Sequence, residues 1–145
     1  RKQLWKKKNL DWGNIGFSYV PTDMRYVADI RMEYGEGTAE ADSTVVLNEC
    51  AGILQYCQEC FEGLKAYTTE DGSIVTFRPD LNAERMMDSA DAGDAVFPKE
   101  RFLEALDQVI KANAAWIPPY GSGATLYIRP YMFASVGDRS LSRLM

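Results

Sequence analysis

Residues 124 to 133 alternate apolar and polar side chains, which predicts a half-buried β-strand. One face of this strand is apolar and the other holds a guanidinium between two phenols: Leu126, Ile128 and Met132 on the first, Tyr127, Arg129 and Tyr131 on the second. A guanidinium on a rigid strand suits a carboxylate ligand, because its fork of donors matches two carboxylate oxygens. The alternative is a surface Arg129 paired with an acidic neighbour.

Alternation predicts further strands upstream. Residues 26–34 read as a strand that Gly35-Glu36-Gly37 closes as a turn, and residues 44–47 could form another short extended piece. Residues 64–68 and 73–77 flank an Asp-Gly pair, which supplies the positive φ of a hairpin turn.

Two segments have helical character. Pro79 ends the preceding strand, Asp80 can cap a new helix, and apolar spacing continues that helix from Leu81 to about Ala90. A second helix begins near Lys99 and continues until Pro118-Pro119 stops it. Strands, then two helices, then a strand predict an α+β fold, in which an antiparallel sheet has its helices packed on one face.

The 145 residues suit a single domain with an ordinary core. Residues 1–25 read as an irregular N-terminal lead-in, residues 26–134 as a small α+β domain, and residues 135–145 as a tail or the start of an interdomain linker. No internal repeat, dinucleotide fingerprint or Walker motif is present.

Composition narrows the chemistry. A net charge of −5 argues against a nucleic-acid partner, and no apolar run approaches the roughly 20 residues of a membrane span. No apolar segment follows the basic residues near the start, so we expect a cytoplasmic protein. The chain has no histidine, which removes Ser-His-Asp and Cys-His catalysis and His-ligated zinc. Any chemistry must use Lys, Tyr, carboxylates, thiols or a cofactor.

Cys57 and Cys60 have the CxxC spacing of redox and zinc sites. A zinc site would lack a fourth ligand, and the flanking sequence shows no βαβ context for a thioredoxin-like motif. We therefore expect buried or half-buried free thiols at Cys50, Cys57 and Cys60.

Three blocks of sequence together resemble a known family. They are residues 55–67, with Phe61-Glu62-Gly63-Leu64-Lys65-Ala66-Tyr67; residues 71–86, with Phe77-Arg78-Pro79-Asp80-Leu81-Asn82-Ala83-Glu84-Arg85-Met86; and residues 116–130, with Tyr127-Ile128-Arg129-Pro130. In order and spacing they resemble the N-terminal, smaller domain of branched-chain amino-acid aminotransferases, the pyridoxal-phosphate enzymes of fold type IV. The resemblance covers about residues 55 to 134.

The resemblance implies a role for five residues. Arg85 would bind the phosphate of pyridoxal 5'-phosphate, and Tyr56 and Phe61 would wall the pocket for a branched aliphatic side chain. Tyr127 would lie near the substrate carboxylate, and Arg129 would receive the distal carboxylate of glutamate. The alternatives are a paired helical arginine at Arg85 and core packing for the two aromatic residues.

Two neighbouring positions belong to the same block. Gly63 would allow a close backbone approach beside Phe61, whereas the alternative is a plain hairpin glycine. Lys65 is not the family's Schiff-base lysine, and strand alternation turns it toward solvent. In the family that lysine comes from a larger catalytic domain, which we expect to be absent from this chain.

The implied substrates are Leu, Ile or Val in one half-reaction and glutamate or 2-oxoglutarate in the other. Without the lysine we expect the chain alone to be inactive, and we expect homo-oligomers to form through exposed apolar surface. The alternatives are a non-catalytic remnant or assembly module, and another fold type IV enzyme such as a D-amino-acid aminotransferase or aminodeoxychorismate lyase.

Overall fold

The computed structural model describes residues 5–30, 35–91 and 98–135 together with the backbone of residues 143–144. Within them, the strands are β1 Arg25–Asp29, β2 Thr38–Glu40, β3 Glu59–Phe61, β4 Leu64–Thr68, β5 Ile74–Thr76, β6 Leu126–Ile128, β7 Tyr131–Phe133 and β8 Arg143–Leu144. The helices are α1 Gly52–Tyr56, α2 Pro79–Asp91 and α3 Lys99–Ala112, and short 3-10 helices span Trp12–Asn14 and Ala114–Trp116.

The strands form two antiparallel sheets. The first has the strand order β2-β1-β8-β7-β3 and the second the order β5-β4-β6. Buried residues of strands and of both long helices form one core: Tyr26, Ala28, Ile30, Leu64, Ala83, Met86, Ala90, Phe102, Ala105, Leu106, Met132 and Ala134. The α+β prediction, antiparallel strands with helices packed against them, is therefore confirmed, although the sheet is divided in two.

A single two-stranded ribbon joins the two sheets. In the first sheet Phe61 of β3 faces Tyr131 of β7, and in the second Leu64 of β4 faces Ile128 of β6. The register does not shift between these ladders, so the connecting residues lie opposite each other: Glu62 opposite Pro130, and Gly63 opposite Arg129. We call the segments 59–68 and 126–133 the bent ribbon.

Proline explains why the ladder is interrupted at the bend. Pro130 has no N–H to donate, so a regular pair cannot form there. Its carbonyl still accepts a hydrogen bond of 2.8 Å from the N–H of Glu62, which keeps the two chains together. The prediction of one uninterrupted strand over residues 124 to 133 is therefore wrong, because two shorter strands belong to different sheets.

The predicted hairpin is confirmed. Ala66 faces Thr76 and Thr68 faces Ile74 across an antiparallel pair, and Gly72 in the turn has a φ of 80°. Glycine adopts this backbone without the steric cost that a side chain would add. The N–H of Gly72 donates to the carbonyl oxygen of Thr69 at 2.9 Å, which closes the turn.

The helices lie where the periodicity predicts them, with different ends. The first begins two residues early, at Pro79, whose fixed φ suits the first helical position. Asp80 lies inside the helix and accepts hydrogen bonds from Arg78 at 2.7 to 3.2 Å, which lower its pKa to about 2. The second helix begins at Lys99 as predicted but ends at Ala112, and a 3-10 turn leads toward Pro118.

Two short segments differ from the sequence predictions, and a third cannot be compared with them. Residues 44–47 form no strand; the chain instead pairs Thr38–Glu40 with the strand at Arg25–Asp29. The helix Gly52–Tyr56 has only five residues, which is too short to leave a periodic signal. The predicted continuation of the first strand through residues 31–34 lies outside the described residues.

The lead-in is tied to the body of the fold at its end. Asn113 is buried, and its amide donates to the carbonyl oxygen of Met24 at 2.7 Å and accepts from the N–H of Met24 at 3.0 Å. The N–H of Lys8 donates to the carbonyl oxygen of Ala115 at 2.9 Å. These bonds fix the lead-in against the end of α3, so it enters β1 from a defined direction.

Candidate functional site

The bent ribbon presents different chemistry on its two faces. Along Phe61–Leu64 and beyond, side chains alternate between solvent and the interior: Phe61, Gly63, Lys65 and Tyr67 are exposed, whereas Glu62, Leu64 and Ala66 are buried. Because directly opposite residues of an antiparallel pair share a face, Tyr127, Arg129 and Tyr131 lie on the exposed face. The solvent-facing orientation predicted for Lys65 is confirmed.

Arg129 lies at the centre of an aromatic cluster on this face. Its Cζ atom lies 4.4 Å from the centroid of the Phe61 ring and 5.3 Å from that of Tyr127. Its Nε–H donates a hydrogen bond of 3.2 Å to the Tyr127 hydroxyl. The flat guanidinium is thus held against apolar ring surface, and its remaining donors have no hydrogen-bond partner among the described residues.

Arg129 differs from the other arginines of the described segments. Arg25, Arg78, Arg85 and Arg101 each lie within 4 Å of a carboxylate, whereas no described carboxylate lies that close to Arg129. The alternative considered from the sequence, a surface ion pair with an acidic neighbour, is therefore not found within those segments. A guanidinium held by rings and a hydroxyl can bind an incoming carboxylate without first breaking an ion pair.

Phe17 joins the cluster from the lead-in, and sequence reasoning missed it. Its ring centroid lies 6.2 Å from that of Tyr127, in an edge-to-face arrangement with an interplanar angle of 62°. The ring is 93% exposed, so the contact with Tyr127 is at the surface. Phe17 lies in an irregular segment 110 positions before Tyr127, so no periodic pattern in the sequence could have identified this contact.

Gly63 makes room for the Tyr127 side chain. A Cβ atom at this position would overlap the Tyr127 hydroxyl and lie only 3.2 Å from its Cζ atom. The neighbour that needs this space is the phenol of the site, whereas the close backbone approach beside Phe61 stays a prediction. Since Gly63 has no positive φ, the need for glycine here is one of space.

Arg85 projects from α2 toward the bend from the interior face. Its Nε–H and Nη2–H groups donate to the two carboxylate oxygens of Glu62, at 3.0 and 2.7 Å. The Glu62 side chain is nearly buried and the Arg85 side chain is 61% exposed. The structure thus finds the paired helical arginine that was the alternative, yet the pairing uses only one edge of the guanidinium.

Electrostatics favour the ionised pair. Burial opposes ionisation of Glu62, but hydrogen bonds from Arg85 and from Asn82, the latter at 2.7 Å, outweigh it and hold the pKa of this carboxyl below its usual range. The hydrogen bond between Arg85 and Glu62 also raises the pKa of Arg85. Both groups are therefore charged at neutral pH, and the carboxylate holds the guanidinium in a fixed plane.

The Arg85 donors that have no partner among the described residues fit a phosphate. A guanidinium has five N–H donors, and a side-on pair with a carboxylate uses two of them. The unused edge, formed by Nη1 and the second Nη2 hydrogen, belongs to a side chain that solvent reaches. Arg85 can therefore hold its carboxylate partner and a phosphate oxygen together.

The remaining sequence-predicted residue, Tyr56, is the last residue of α1 and is 73% exposed. Phe61, Tyr127 and Arg129 form one cluster through contacts, and Arg85 is linked to it through Glu62, the chain neighbour of Phe61. None of these contacts involves Tyr56. Its assignment as a pocket wall stays a prediction.

The thiols differ from their predicted burial. Cys50 and Cys57 are free and exposed, so that prediction is wrong for them, because they lie in and beside the turns around the short helix α1. Cys60 is free and half-buried against the core, and burial raises the pKa of its thiol. Among the described residues no cluster of three or more Cys, Asp and Glu side chains could hold a metal ion.

An apolar cavity of about 220 Å³ lies between α3 and residues 126–131. Its walls include Phe102 and Val109 of the helix and the polar residues Arg25 and Asn113. Tyr127 and Arg129 also line it, so the cavity and the aromatic cluster share residues. Within the described segments, no helix has the length and apolarity to cross a membrane.

Comparison with known proteins shows where similar sequences occur. The chain is 50% identical over 135 residues to a branched-chain-amino-acid aminotransferase of Haemophilus influenzae and 44% identical to that of Helicobacter pylori. It is 45% identical to an Arabidopsis thaliana protein named methionine aminotransferase BCAT4. Each match covers 90% of this chain but only 37 to 39% of the relative. No family model matches.

Solved structures give the same fold. A branched-chain aminotransferase from Thermoproteus uzoniensis with norvaline superposes with a TM-score of 0.58 at 22% identity, covering 83% of this chain and 39% of that one. A branched-chain amino acid aminotransferase from T.th., complexed with N-(5'-phosphopyridoxyl)-L-glutamate, gives 0.60 at 19% identity, covering 85% and 39%. The resemblance to part of a branched-chain aminotransferase, and the fold type IV architecture, are confirmed. The chain spans about two fifths of the length of these relatives.

We predict that Gly63→Ala moves the Tyr127 hydroxyl away from Arg129. The added methyl group must displace the ring, and the half-exposed ring can swing outward, so the expected cost in stability stays below about 1 kcal/mol. The NMR signal of the Arg129 Nε–H group should change as its hydrogen bond is lost. Gly13→Ala is the matched control, since its Cβ would meet nothing closer than 3.8 Å. An unchanged Arg129 signal in Gly63→Ala would contradict the assignment.

We predict that the stabilisation from Glu62 disappears in acid. The pKa of Glu62 is lower in the folded chain, so its contribution is complete above the ordinary range of a glutamate carboxyl and is lost as pH falls through the lowered pKa. At neutral pH we expect wild type to exceed Glu62→Gln by about 1–2 kcal/mol, a modest value because Arg85 is exposed. Urea unfolding of both proteins between pH 7 and pH 2 measures it. A difference that grows toward acid would refute the prediction.

Proposed function

We propose that this chain is the smaller domain of a branched-chain-amino-acid aminotransferase, a pyridoxal-phosphate enzyme that in its complete form transfers the amino group of Leu, Ile or Val to 2-oxoglutarate. The observation that supports this most directly is the cluster in which Arg129 rests on Phe61 and Tyr127 without a described carboxylate partner. High sequence identity to such enzymes along 90% of the chain supports the same assignment.

A transaminase pocket must accept an apolar side chain and, in the other half-reaction, a second carboxylate. In the proposed site the rings of Phe61 and Tyr127 offer apolar surface to the aliphatic side chain. Arg129 offers N–H donors to the distal carboxylate of glutamate. One group of side chains can serve both substrates because the guanidinium lies against the rings and still keeps free donors.

Tyr127 has a positioning role in this proposal. Its hydroxyl accepts from the Nε–H of Arg129, which orients the guanidinium plane, and Gly63 leaves the space that the hydroxyl needs. Its own O–H hydrogen can then be donated to a substrate carboxylate oxygen. Tyr56 would add a further apolar wall; nothing in the geometry described above depends on it.

Pyridoxal 5'-phosphate is the proposed cofactor, and Arg85 would hold its phosphate with the guanidinium edge that Glu62 leaves free. When bound, the cofactor supplies an electron sink for the bonds around the amino-bearing carbon. The protein residues named here would bind and orient the reactants. We assign no residue of this chain as the Schiff-base lysine, and Lys65 faces solvent on the edge of the aromatic cluster.

Substrate range within this class stays open to one specific alternative. A relative of similar identity is named methionine aminotransferase, and an unbranched thioether side chain would suit aromatic walls equally well. We propose branched-chain amino acids because the relatives from Haemophilus influenzae and Helicobacter pylori are named for them. Nothing among the described contacts favours a D-amino-acid aminotransferase or a lyase.

Association with copies of itself is also proposed, through apolar side chains that solvent reaches. Phe77 is 81% exposed, and other large apolar residues are exposed as well: Phe17, Tyr19, Val46, Leu54 and Tyr120. Exposed aromatic surface of this kind favours burial against another chain. We propose a cytoplasmic location. The acidic net charge supports the proposal that nucleic acid is not a partner, and we propose no membrane partner.

We predict that the 145-residue chain alone has no measurable transaminase activity, because it has no assigned lysine amine to catalyse proton movement. The assay is leucine-dependent formation of glutamate from 2-oxoglutarate with added pyridoxal phosphate. We also expect the cofactor to be removed by dialysis and not to be fixed to a lysine by borohydride. Turnover by the pure chain would overturn this prediction.

We predict that Arg129→Gln weakens binding of N-(5'-phosphopyridoxyl)-L-glutamate about tenfold and leaves N-(5'-phosphopyridoxyl)-L-leucine within about twofold, because only glutamate brings a distal carboxylate. Isothermal titration of the chain with both compounds measures it. Arg101→Gln is the control, since Arg101 pairs with Glu104 on the surface of α3. Equal losses for the two compounds, or none, would contradict the proposed role of Arg129.

A further inference from the structure

Glu62 is the one buried carboxylate at the bend of the ribbon among the residues described there, being 8% exposed. We propose that Glu62 is a positioning residue for anion binding: it orients the Arg85 guanidinium toward a phosphate and fixes it relative to Arg129. This inference rests on the proposed function, since it supposes that Arg85 receives the cofactor phosphate. It assigns a role to a residue that would not itself touch the ligand.

The geometry of the pair determines which donors remain. Glu62 takes the Nε–H and one Nη2–H of Arg85, so the guanidinium plane is fixed and its other edge points away from the carboxylate. A free arginine side chain would sample many rotamers and would lose that freedom on binding. With Glu62 in place, much of the ordering is already present before the anion arrives, which favours binding.

Glu62 is itself held in place. Asn82, one helical turn before Arg85 on α2, donates to Glu62 Oε2 at 2.7 Å and to the carbonyl oxygen of Gly63 at 3.3 Å. The carboxylate therefore cannot rotate without losing a hydrogen bond in a nearly buried place. The Glu62 side chain therefore joins the bent ribbon to α2, because its carboxylate accepts hydrogen bonds from Asn82 and Arg85 of that helix.

The main chain of Glu62 reaches the second cationic group. Its N–H donates to the carbonyl oxygen of Pro130 at 2.8 Å, and Pro130 directly follows Arg129. Its preceding residue, Phe61, supplies the ring beneath the Arg129 guanidinium. A shift of Glu62 would therefore disturb the support of Arg129 as well as that of Arg85.

The negative charge of Glu62 and its orienting effect on Arg85 should change phosphate affinity in opposite directions. As a negative charge Glu62 repels a phosphate, so if charge dominated, its removal would tighten binding. As an orienting group it favours binding, so its removal would weaken it. We expect orientation to dominate, because Glu62 lies behind the guanidinium, farther from the anion than the positive charge, and the Arg85 side chain is exposed to screening solvent.

The test is an NMR titration of the ¹⁵N-labelled chain with inorganic phosphate, following the Arg85 Nε–H signal, which Arg85→Lys identifies by its disappearance. In wild type this signal should exchange slowly with water and shift as phosphate is added. Glu62→Gln should exchange faster and bind phosphate about tenfold more weakly, the effect expected for a misplaced charge-assisted hydrogen bond.

Two further variants separate charge from geometry. Glu62→Asp keeps the negative charge but shortens the reach to Arg85, so it should also weaken binding. Glu84→Gln removes a negative charge one position from Arg85, but Glu84 pairs with Lys99, so its affinity should equal or slightly exceed that of wild type. Far-UV circular dichroism establishes that each variant is folded, and Glu62→Asp serves if Glu62→Gln does not fold.

The outcomes distinguish the two levels of the proposal. Phosphate affinity in Glu62→Asp or Glu62→Gln that equals or exceeds that of wild type overturns the positioning role while leaving Arg85 as a phosphate ligand. Failure of wild type to bind phosphate at Arg85 overturns the proposed phosphate site and the positioning role together. Weaker binding in both variants, with Glu84→Gln unaffected, supports the inference.

Discussion

The bent ribbon links the two sheets and determines on which face each residue of the proposed site lies. Two strands pair in one sheet, pass the bend where Glu62 faces Pro130 and Gly63 faces Arg129, and pair again in the second sheet without a change of register. Because the register is kept, alternation continues through the bend, and the tyrosines of β6 and β7 stay on one face. The bend exposes Arg129 on that face and turns Glu62 toward α2 on the other.

Two arginines meet this bend in different states. Arg129 lies against rings on the outer face without a described carboxylate partner, whereas Arg85 approaches from the helix side and shares one edge with Glu62. In the proposed transaminase, the first arrangement would suit a substrate carboxylate that is present in only one half-reaction. The second suits a phosphate that stays in place, since a pre-oriented guanidinium loses little freedom on binding. We thus propose that the arginine held against aromatic rings binds the substrate, and that the arginine paired with a carboxylate binds the cofactor.

Local patterns in the sequence were sufficient to predict much of the fold and of the proposed site. Alternation of 126–132 identified the two faces of the ribbon correctly, Asp-Gly identified the hairpin turn, and helical spacing identified α2 and α3. The resemblance of three blocks named the residues of the cluster apart from Phe17. These successes share one feature, which is that the signal and the structure lie within a few residues of each other.

The features that the sequence did not predict depend on which partner each side chain finds. Most of these partners are far apart along the chain. The pairing of Glu62 with Arg85 spans 23 positions, and the contact of Phe17 with Tyr127 crosses most of the chain. The division of residues 124 to 133 into two strands depends on which partner each half finds, although Pro130 was a local sign of it. Asp80 is not the residue that precedes its helix, because the helix already begins at Pro79, and its carboxylate pairs with Arg78.

Side-chain ¹⁵N NMR of the chain with N-(5'-phosphopyridoxyl)-L-glutamate can show whether one ribbon supports both anion-binding arginines. That compound carries a phosphate and a distal carboxylate in one molecule. We expect the Nε–H signals of Arg85 and Arg129 to shift together with a single binding constant, while that of Arg101 does not move. Movement of only one of the two signals, or different binding constants for them, would contradict it.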